Sequence, residues 1–423
     1  MSGPGASGPA VHGSVLSGPV RVLAVADSDS YVKWAAATLD ALPPLWRAAG
    51  GHELVVLRSP VTPSVTQVRS AVAGTSFRVG GVPVVGAGGL VRRWRRLQPD
   101  VVLLAATGPV VQVVARDVLR IATAGRPRPV LVSGLPGVSV PATTLAWHYR
   151  QRVDLLVVHS LREAEEFRAL AAAYGRAGEV GTARLPFLPR TTPRAGGREV
   201  VFAAQAKVPA DPADRVRLLH SLARLARTRP DLDVVVKLRA APGEQQTHAE
   251  QHPYPQLWAA LGAPGPLRFS TAPLGEHLAA ACGLVTVSST AALEAMAARV
   301  PVLLLEDFGS GPELLGAAFA GSGCAGRLAD LEAGRFRAPD PSWLRRNYLH
   351  PDEDCDAAPR LGALVHRRRA GGLPPVPEHQ PGPGLRPAAA RARLLLPGSA
   401  LARLRVVRRL SRRAARALRA VAA

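Results

Sequence analysis

Short aliphatic runs, each followed by a polar turn and then a helical pattern, recur along this chain and constrain its fold more than any other feature. Val20 to Ala26 (VRVLAVA) is the first, and His52 to Arg58 (HELVVLR), Val101 to Ala105 (VVLLA), Val130 to Ser133 and Asp154 to His159 (DLLVVH) repeat it. A strand with one wet face alternates apolar and polar residues. These runs do not alternate, so both of their faces must be covered, as in a parallel sheet with helices on either side. The loop Asp27-Ser28-Asp29-Ser30 leads into a helical pattern through Tyr31, Trp34, Ala35, Leu39 and Leu42, stopped by Pro43 and Pro44. Strand, turn and helix in repetition make a doubly wound α/β sheet. Between Ser59 and Arg96 the pattern is less regular, and the run GGVPVVGAGG reads in part as loop.

A second series opens at Glu199 to Ala204 (EVVFAA), after Pro186, Pro189, Pro193 and the Gly196-Gly197 pair, which read as a linker. Its further strands are Val234 to Leu238, Leu267 to Ser270, Leu284 to Val287 and Val302 to Glu306, with helices around 215–228, 276–281 and 291–299. The chain therefore divides into a disordered 1–19, a Rossmann-like αβα domain over 20–190 and a second over 198–350. Beyond them lie a poorly packed Pro/Gly-rich linker over 351–399 and a final helix over 400–423. Two such domains imply a cleft between the carboxyl edges of two sheets, where open α/β folds take their ligands.

The formal charge of +22 favours anionic partners, but it is unevenly spread: no Asp or Glu follows Glu378, and ten arginines lie from Arg391 onward. From Leu401, apolar residues at three- and four-residue steps (Leu401, Leu404, Val407, Leu410, Ala414, Ala417, Val421) share a helix with those arginines. Such a basic amphipathic helix suits an anionic membrane surface, each basic residue adding about 1 kcal/mol there. A helix docked on the protein itself, or a solvated tail, stays open. Nucleic acid is a poor match, because aromatic interleaving, a helix-turn-helix pattern and zinc spacing are all missing. Cys282, Cys324 and Cys355 are odd in number and widely spaced, as expected of a reduced cytosolic protein without a zinc site. The first 19 residues lack the basic and apolar regions of a secretory signal, and no apolar run is long enough to span a bilayer. The expected location is the cytoplasm, peripheral to the inner membrane face.

The richest segment is Leu284 to Asp307, LVTVSSTAALEAMAARVPVLLLED, in which a buried strand runs through Ser288-Ser289-Thr290 into a helix. Unpaired backbone donors and small hydroxyl side chains meet there, as phosphate binding requires, although either Ser289 or Thr290 could equally serve as a helix cap. Glu294 lies one turn further on and could accept from a ribose or sugar hydroxyl. Lysine is scarce: Lys33, Lys207 and Lys237 are the three in the chain, against fifty arginines. Either a compact ammonium is retained where a guanidinium fork fits badly, or the lysines survive by accident, a reading that fits Lys33 best. Lys207 and the Lys237-Leu238-Arg239 run each follow a strand of the second sheet, so Lys207, Lys237 and Arg239 can converge on phosphates reached by Ser288, Ser289 and Thr290. Glu244 and His248, four residues apart, could share a helical face beside them, or belong equally to a mobile loop.

The strand-SST-helix-strand run with Glu294 and Pro301-Val302 resembles the donor site of GT-B glycosyltransferases and of the related nucleotide-sugar 2-epimerases. Residues 20 to 350 are similar to a group of actinobacterial proteins described as glycosyltransferases, through DSDSYVKW at 27–34, SGLPG at 133–137, FAAQAKVP at 202–209 and KLRAAPGEQQTH at 237–248. Transferases that use CMP-activated sugars have a comparable layout, with a His-Pro where this chain has Leu238-Arg239-Ala240. The resemblance implies a metal-independent transfer of a sugar from a nucleotide donor, a co-substrate rather than a resident cofactor. The acceptor is then a glycan, lipid-linked or at the cell surface. The residues implied to hold the donor are Lys207, Arg239, Glu244, His248, Ser288, Ser289, Thr290 and Glu294, with Lys237 stabilising the departing phosphate.

The acceptor hydroxyl needs a base on the opposite wall. Asp29, after the first strand, is the first choice and Asp27 the reserve, although both could instead cap the following helix. Their D-x-D spacing also fits a magnesium site, a weaker reading. His159 is a minor candidate, while Ser160 and Glu163 read as a capping box. Two alternatives remain: an epimerase sharing the donor site, and a non-catalytic nucleotide-binding or membrane-associated scaffold.

Overall fold

The computed structural model describes residues 19–376, apart from 48–50, 60, 122–126, 175–178, 187, 189–195, 240–249 and 310–315. The basic helix read at 400–423, most of the N-terminal 1–19, Glu244 and His248 lie outside the described residues.

Seven strands form the first sheet: β1 (Val22–Ala26), β2 (His52–Leu57), β3 (Val84–Val85), β4 (Val101–Ala105), β5 (Val130–Gly134), β6 (Leu155–Val158) and β7 (Glu179–Thr182). They run in the order β3-β2-β1-β4-β5-β6-β7, every pair parallel. The second sheet comprises β8 (Glu199–Ala203), β9 (Asp233–Lys237), β10 (Arg268–Ser270), β11 (Ala281–Thr286), β12 (Val302–Leu305) and β13 (Ala325–Gly326). Its order is β10-β9-β8-β11-β12-β13, again parallel throughout. In each sheet the chain first winds to one side and then to the other. It reverses between β1 and β4 and between β8 and β11, and the loops leaving those neighbouring strands diverge.

Burial on two faces accounts for the unbroken aliphatic runs. In β1, Val22, Ala24 and Ala26 enter one apolar cluster while Leu23 and Val25 enter another on the opposite face. Likewise in β8, Val201 and Ala203 point one way and Val200 and Phe202 the other. Each fully buried Val, Leu or Phe contributes roughly 1.5–3 kcal/mol relative to an exposed one. The Gly-rich stretch is more ordered than its composition implies: it contains β3, and the helix Ala87–Leu97 follows at once, anchored by Trp94. Two-residue strands such as β3 and β13 carry too little pattern to be read from sequence.

The segment read as a poorly packed linker needs correction. Residues Ala357–Arg369 form a helix that returns to the first domain and places Ala357, Leu361, Leu364 and Val365 in its core. Flanking Pro and Gly hid a 1-5-8-9 apolar spacing. The helix lies against β5, β6 and β7, and Gly181 permits this approach, since a Cβ there would meet Ala357 Cα at 2.8 Å. Asp356 Oδ1 accepts from the Thr182 N–H at 2.7 Å, and Arg368 pairs with Asp100 at 2.6 Å.

The domains are joined through a buried carboxylate. Glu163 Oε1 accepts from the Ser139 N–H and the Tyr348 hydroxyl, each at 2.6 Å, while Oε2 accepts from the His159 N–H at 2.7 Å. Ser160 Oγ caps the same helix by accepting from the Glu163 N–H at 3.0 Å. Burial pushes the Glu163 carboxyl up to about 7 while its donors pull the other way.

Gly134, at the end of β5, lies against the indole of Trp34, where a Cβ would come within 2.6 Å of Cη2 and 3.0 Å of the Val157 carbonyl oxygen. Gly134→Ala is therefore expected to cost about 1–3 kcal/mol through overpacking, seen as a lowered urea midpoint with an unchanged m-value.

Candidate functional site

Three loops leave the carboxyl ends of β9, β8 and β11 side by side, at the point where the second sheet reverses direction. They enclose a cavity of about 500 Å³. Lys207 comes from the first loop of the domain, Lys237 and Arg239 from the second, and Ser288, Ser289 and Thr290 from the third. Ala203, Ala204 and Ala206 keep its floor low, and Leu238 and Leu274 add apolar wall. Six side chains singled out from the sequence thus share one opening.

Local chemistry fixes the Ser-Ser-Thr turn. The Ser288 N–H donates to Gln205 Oε1 at 2.9 Å, and the Gln205 amide donates back to the Ser288 carbonyl. Ser289 Oγ accepts from the Ala291 N–H at 3.2 Å, which makes Ser289 the capping side chain, whereas Thr290 makes no side-chain cap bond to the helix Ala291–Ala297. The Ser289 and Thr290 N–H groups have no protein acceptor among the described residues. They are the donors this turn leaves for a ligand.

Behind the Lys207 loop sits Arg215, fully buried in the helix Pro212–Thr228. Its guanidinium donates to the carbonyls of Gln205 (3.1 Å), Ala206 (2.7 Å), Pro209 (2.8 Å) and His252 (2.8 Å), pairs with Glu250 at 2.6 Å and lies over the Tyr254 ring at 4.6 Å. Sequence reading missed Arg215. The available signal was the Asp211-Pro212 helix start, which puts Arg215 in the first turn, under the loop just before it.

Glu294 does not line the cavity. It faces the first domain, where Lys33 Nζ lies 3.9 Å from its Oε1. Burial raises the Glu294 carboxyl while Lys33 and Lys237 lower it; Lys237 in turn is lowered by burial and by Arg239 and raised by Glu294. Lys33, Glu294 and Lys237 therefore form a charge chain from one domain into the loops that line the cavity. Beside it, a Cβ on Gly137 would stand 3.7 Å from Thr290 Cγ2, so the SGLPG segment touches the SST turn.

The first domain departs from expectation at several positions. Asp29 is the first residue of the helix Asp29–Asp40, half-buried and outside the cavity lining, and Ser28 rather than either aspartate is the N-cap. Asp27 is fully buried and its carboxylate accepts from the Thr107 N–H at 3.0 and 3.1 Å and from the Thr107 hydroxyl, tying β1 to the loop after β4. It is thus a structural clamp rather than a reserve base or half of a metal pair. Among the described residues no group of three or more His, Cys, Asp or Glu side chains is placed to hold a metal ion.

His159 is likewise inside the core. Its Nε2 accepts from the Trp34 indole at 2.7 Å and its Nδ1 donates to the Ala183 carbonyl at 2.8 Å, an arrangement that requires the neutral ring. The DSDSYVKW motif now has a physical account. Asp27 holds Thr107, the Tyr31 hydroxyl accepts from Arg150 at 2.9 Å, Lys33 reaches Glu294, and Trp34 joins His159 to Gly134.

Comparison with known proteins places this geometry. Residues 22–364 match the model of the family described as "Putative glycosyltransferase (DUF6716)". The chain belongs to that family. No curated protein matches it in sequence. Among solved structures, the Listeria monocytogenes protein described as a "putative UDP-N-acetylglucosamine 2-epimerase" shares 12% identity, with 83% of this chain and 95% of that one covered at a TM-score of 0.52. The S. aureus MnaA–UDP complex shares 10% identity over 86% of this chain and 100% of that one, at a TM-score of 0.51. These likenesses concern the fold. With two parallel doubly wound domains and a C-terminal helix that crosses back, the family member has a GT-B-like architecture. Among its described residues no helix is long and apolar enough to cross a membrane.

Burial holds the His159 imidazole down to about 4, against an ordinary value of 6.5. A depressed histidine contributes stability that is complete above pH 6.5 and is lost as pH falls towards 4. Urea unfolding of His159→Gln should therefore show a lower midpoint than wild type at neutral pH and a difference that narrows across this window. A gap of constant size would rule the mechanism out.

Proposed function

We propose that this protein is a metal-independent glycosyltransferase, with a nucleotide sugar held by the second domain and an acceptor glycan, lipid-linked or bound for the cell surface, presented by the first. The observation that carries the reading is the convergence of Lys207, Lys237, Arg239 and the Ser288–Thr290 turn on one cavity at the reversal point of the second sheet. Three cations and two backbone donors suit a phosphate group, and small alanines let it approach the loops closely. As the glycosidic bond breaks, negative charge grows on the departing phosphate, and Lys237, partly desolvated at the end of β9, together with the exposed Lys207 stabilises it more than the intact donor. Asp29 is the proposed base for the acceptor hydroxyl, brought opposite the donor by closure of the domains. Lys33, reaching Glu294 across the domain boundary, supports that closure. Arg239, Glu244 and His248 complete the proposed donor side, with Glu294 acting on it from behind through Lys237, and the protein works in the cytoplasm with its basic tail on the inner membrane face.

A second reading is favoured by the fold comparison: a nucleotide-sugar epimerase would use the same cavity, and the Listeria monocytogenes neighbour is described as a "putative UDP-N-acetylglucosamine 2-epimerase". Incubation with a nucleotide sugar alone, followed by NMR of the products, separates them, because an epimerase needs no acceptor.

A thermal-shift panel of UDP, dTDP, GDP and CMP is expected to show stabilisation by at least one nucleotide, since a ligand that binds only the folded state raises the melting temperature. Lys207→Ala and Lys237→Ala should each weaken that nucleotide by roughly 10- to 100-fold, the worth of a hydrogen bond to a charged group. A panel with no shift in the wild type, or lysine variants that bind as the wild type does, would falsify the donor assignment.

A further inference from the structure

We infer that Gln205 is the positioning residue that sets the spacing between the Lys207 loop and the Ser288–Thr290 turn, so that both can grip one anion. This rests on the donor-site reading above. Backbone pairing between β8 and β11 ends at Phe202 and Val285. Past that point, side chains make the hydrogen bonds that connect the two segments among the described residues. The Thr286 hydroxyl donates to the Ala203 carbonyl at 3.0 Å, one step beyond the last pair. Gln205 makes the next connection at two points, accepting from the Ser288 N–H at 2.9 Å and donating to the Ser288 carbonyl. The amide thus imitates a peptide group and extends the ladder by a rung across a gap that the backbone no longer spans.

The same residue is fixed from behind. Its carbonyl accepts from Arg215 at 3.1 Å, and the neighbouring Ala206 carbonyl accepts from the same guanidinium nitrogen at 2.7 Å. Lys207 follows directly. Gln205 therefore stands between a buried anchor and the two loops that line the cavity, and movement of its side chain displaces Ser289 and Thr290 relative to Lys207. It also consumes the Ser288 N–H, which aims the following two N–H groups, rather than that one, at the cavity.

Only a carboxamide fits this role. Glutamate offers two acceptors and repels the Ser288 carbonyl when ionised, asparagine is one methylene short, and alanine removes both bonds that Gln205 makes to Ser288. The pairing does not involve the ligand directly, so the loss should appear in ligand binding far more than in folding.

The probe is the nucleotide that most stabilises the wild type in the panel, with inorganic pyrophosphate alongside, each titrated calorimetrically into the full-length protein. Gln205→Ala is expected to weaken both by about tenfold or more, the equivalent of one lost hydrogen-bonded support, with a far-ultraviolet spectrum and urea m-value like those of the wild type. Gln205→Glu supplies the second measurement. It should bind poorly at pH 8 and recover towards wild type near pH 5, where protonation returns a donor to the side chain, while the wild type shows no such recovery. Equal binding by Gln205→Ala and wild type, or a Gln205→Glu profile parallel to wild type, overturns the inference and leaves the donor site standing. A wild type that binds neither probe overturns both.

Discussion

A parallel sheet buried on both faces has nowhere to place polar chemistry except where its strands end. In this protein that constraint operates twice. Every strand residue of β1 is buried, and β8 and β11 are nearly so, so the cores are built from side chains that can do nothing but pack. Polar groups are displaced into the loops at the carboxyl edge. Where the winding direction reverses, adjacent loops part company, and a space opens whose walls are lined with what the cores exclude. The position of the cavity follows from topology, and its chemistry from the few residues that occupy three loops.

Those loops are not left to themselves. Arg215, buried with five protein acceptors and an aromatic face, and Gln205, bonded on both edges of its amide, hold the cavity floor in place before any ligand arrives. An isolated buried guanidinium would be very costly, and each of these bonds offsets part of that cost. The result is a set of oriented donors that need little rearrangement on binding, which is the condition under which electrostatic stabilisation of a transition state is most effective.

The architecture was largely legible because unbroken Val/Leu/Ala runs have one physical meaning when they alternate with helices. Lys207, Lys237 and Ser288 to Thr290 were legible for a related reason: they stand directly after such runs, and strand ends converge. What failed were features set by contacts distant in sequence. Asp27 looked like a carboxylate facing a cleft, but its partner is Thr107, eighty residues away. His159 looked like a titratable group after a strand, whereas Trp34 and Ala183 enclose it. Arg215 read as one more arginine among fifty; the Asp211-Pro212 helix start places it in the first turn but does not tell that the preceding loop will fold over its guanidinium. The helix at 357–369 was masked by its neighbours' composition, because proline and glycine counts average over a short apolar stripe.

That returning helix has a consequence for how the molecule can move. The polypeptide crosses between the domains on its way from Thr182 to Glu199 and again before Ala357, so the two halves are tethered at two places rather than one. A single tether permits swivelling in any direction; a pair of them defines an axis. The first half is also not a continuous piece of sequence, since its wall over β5 to β7 is supplied by residues that follow the whole of the second. The first half is not closed without a segment that follows the second, and a nascent polypeptide cannot finish its first core until the second has already been synthesised.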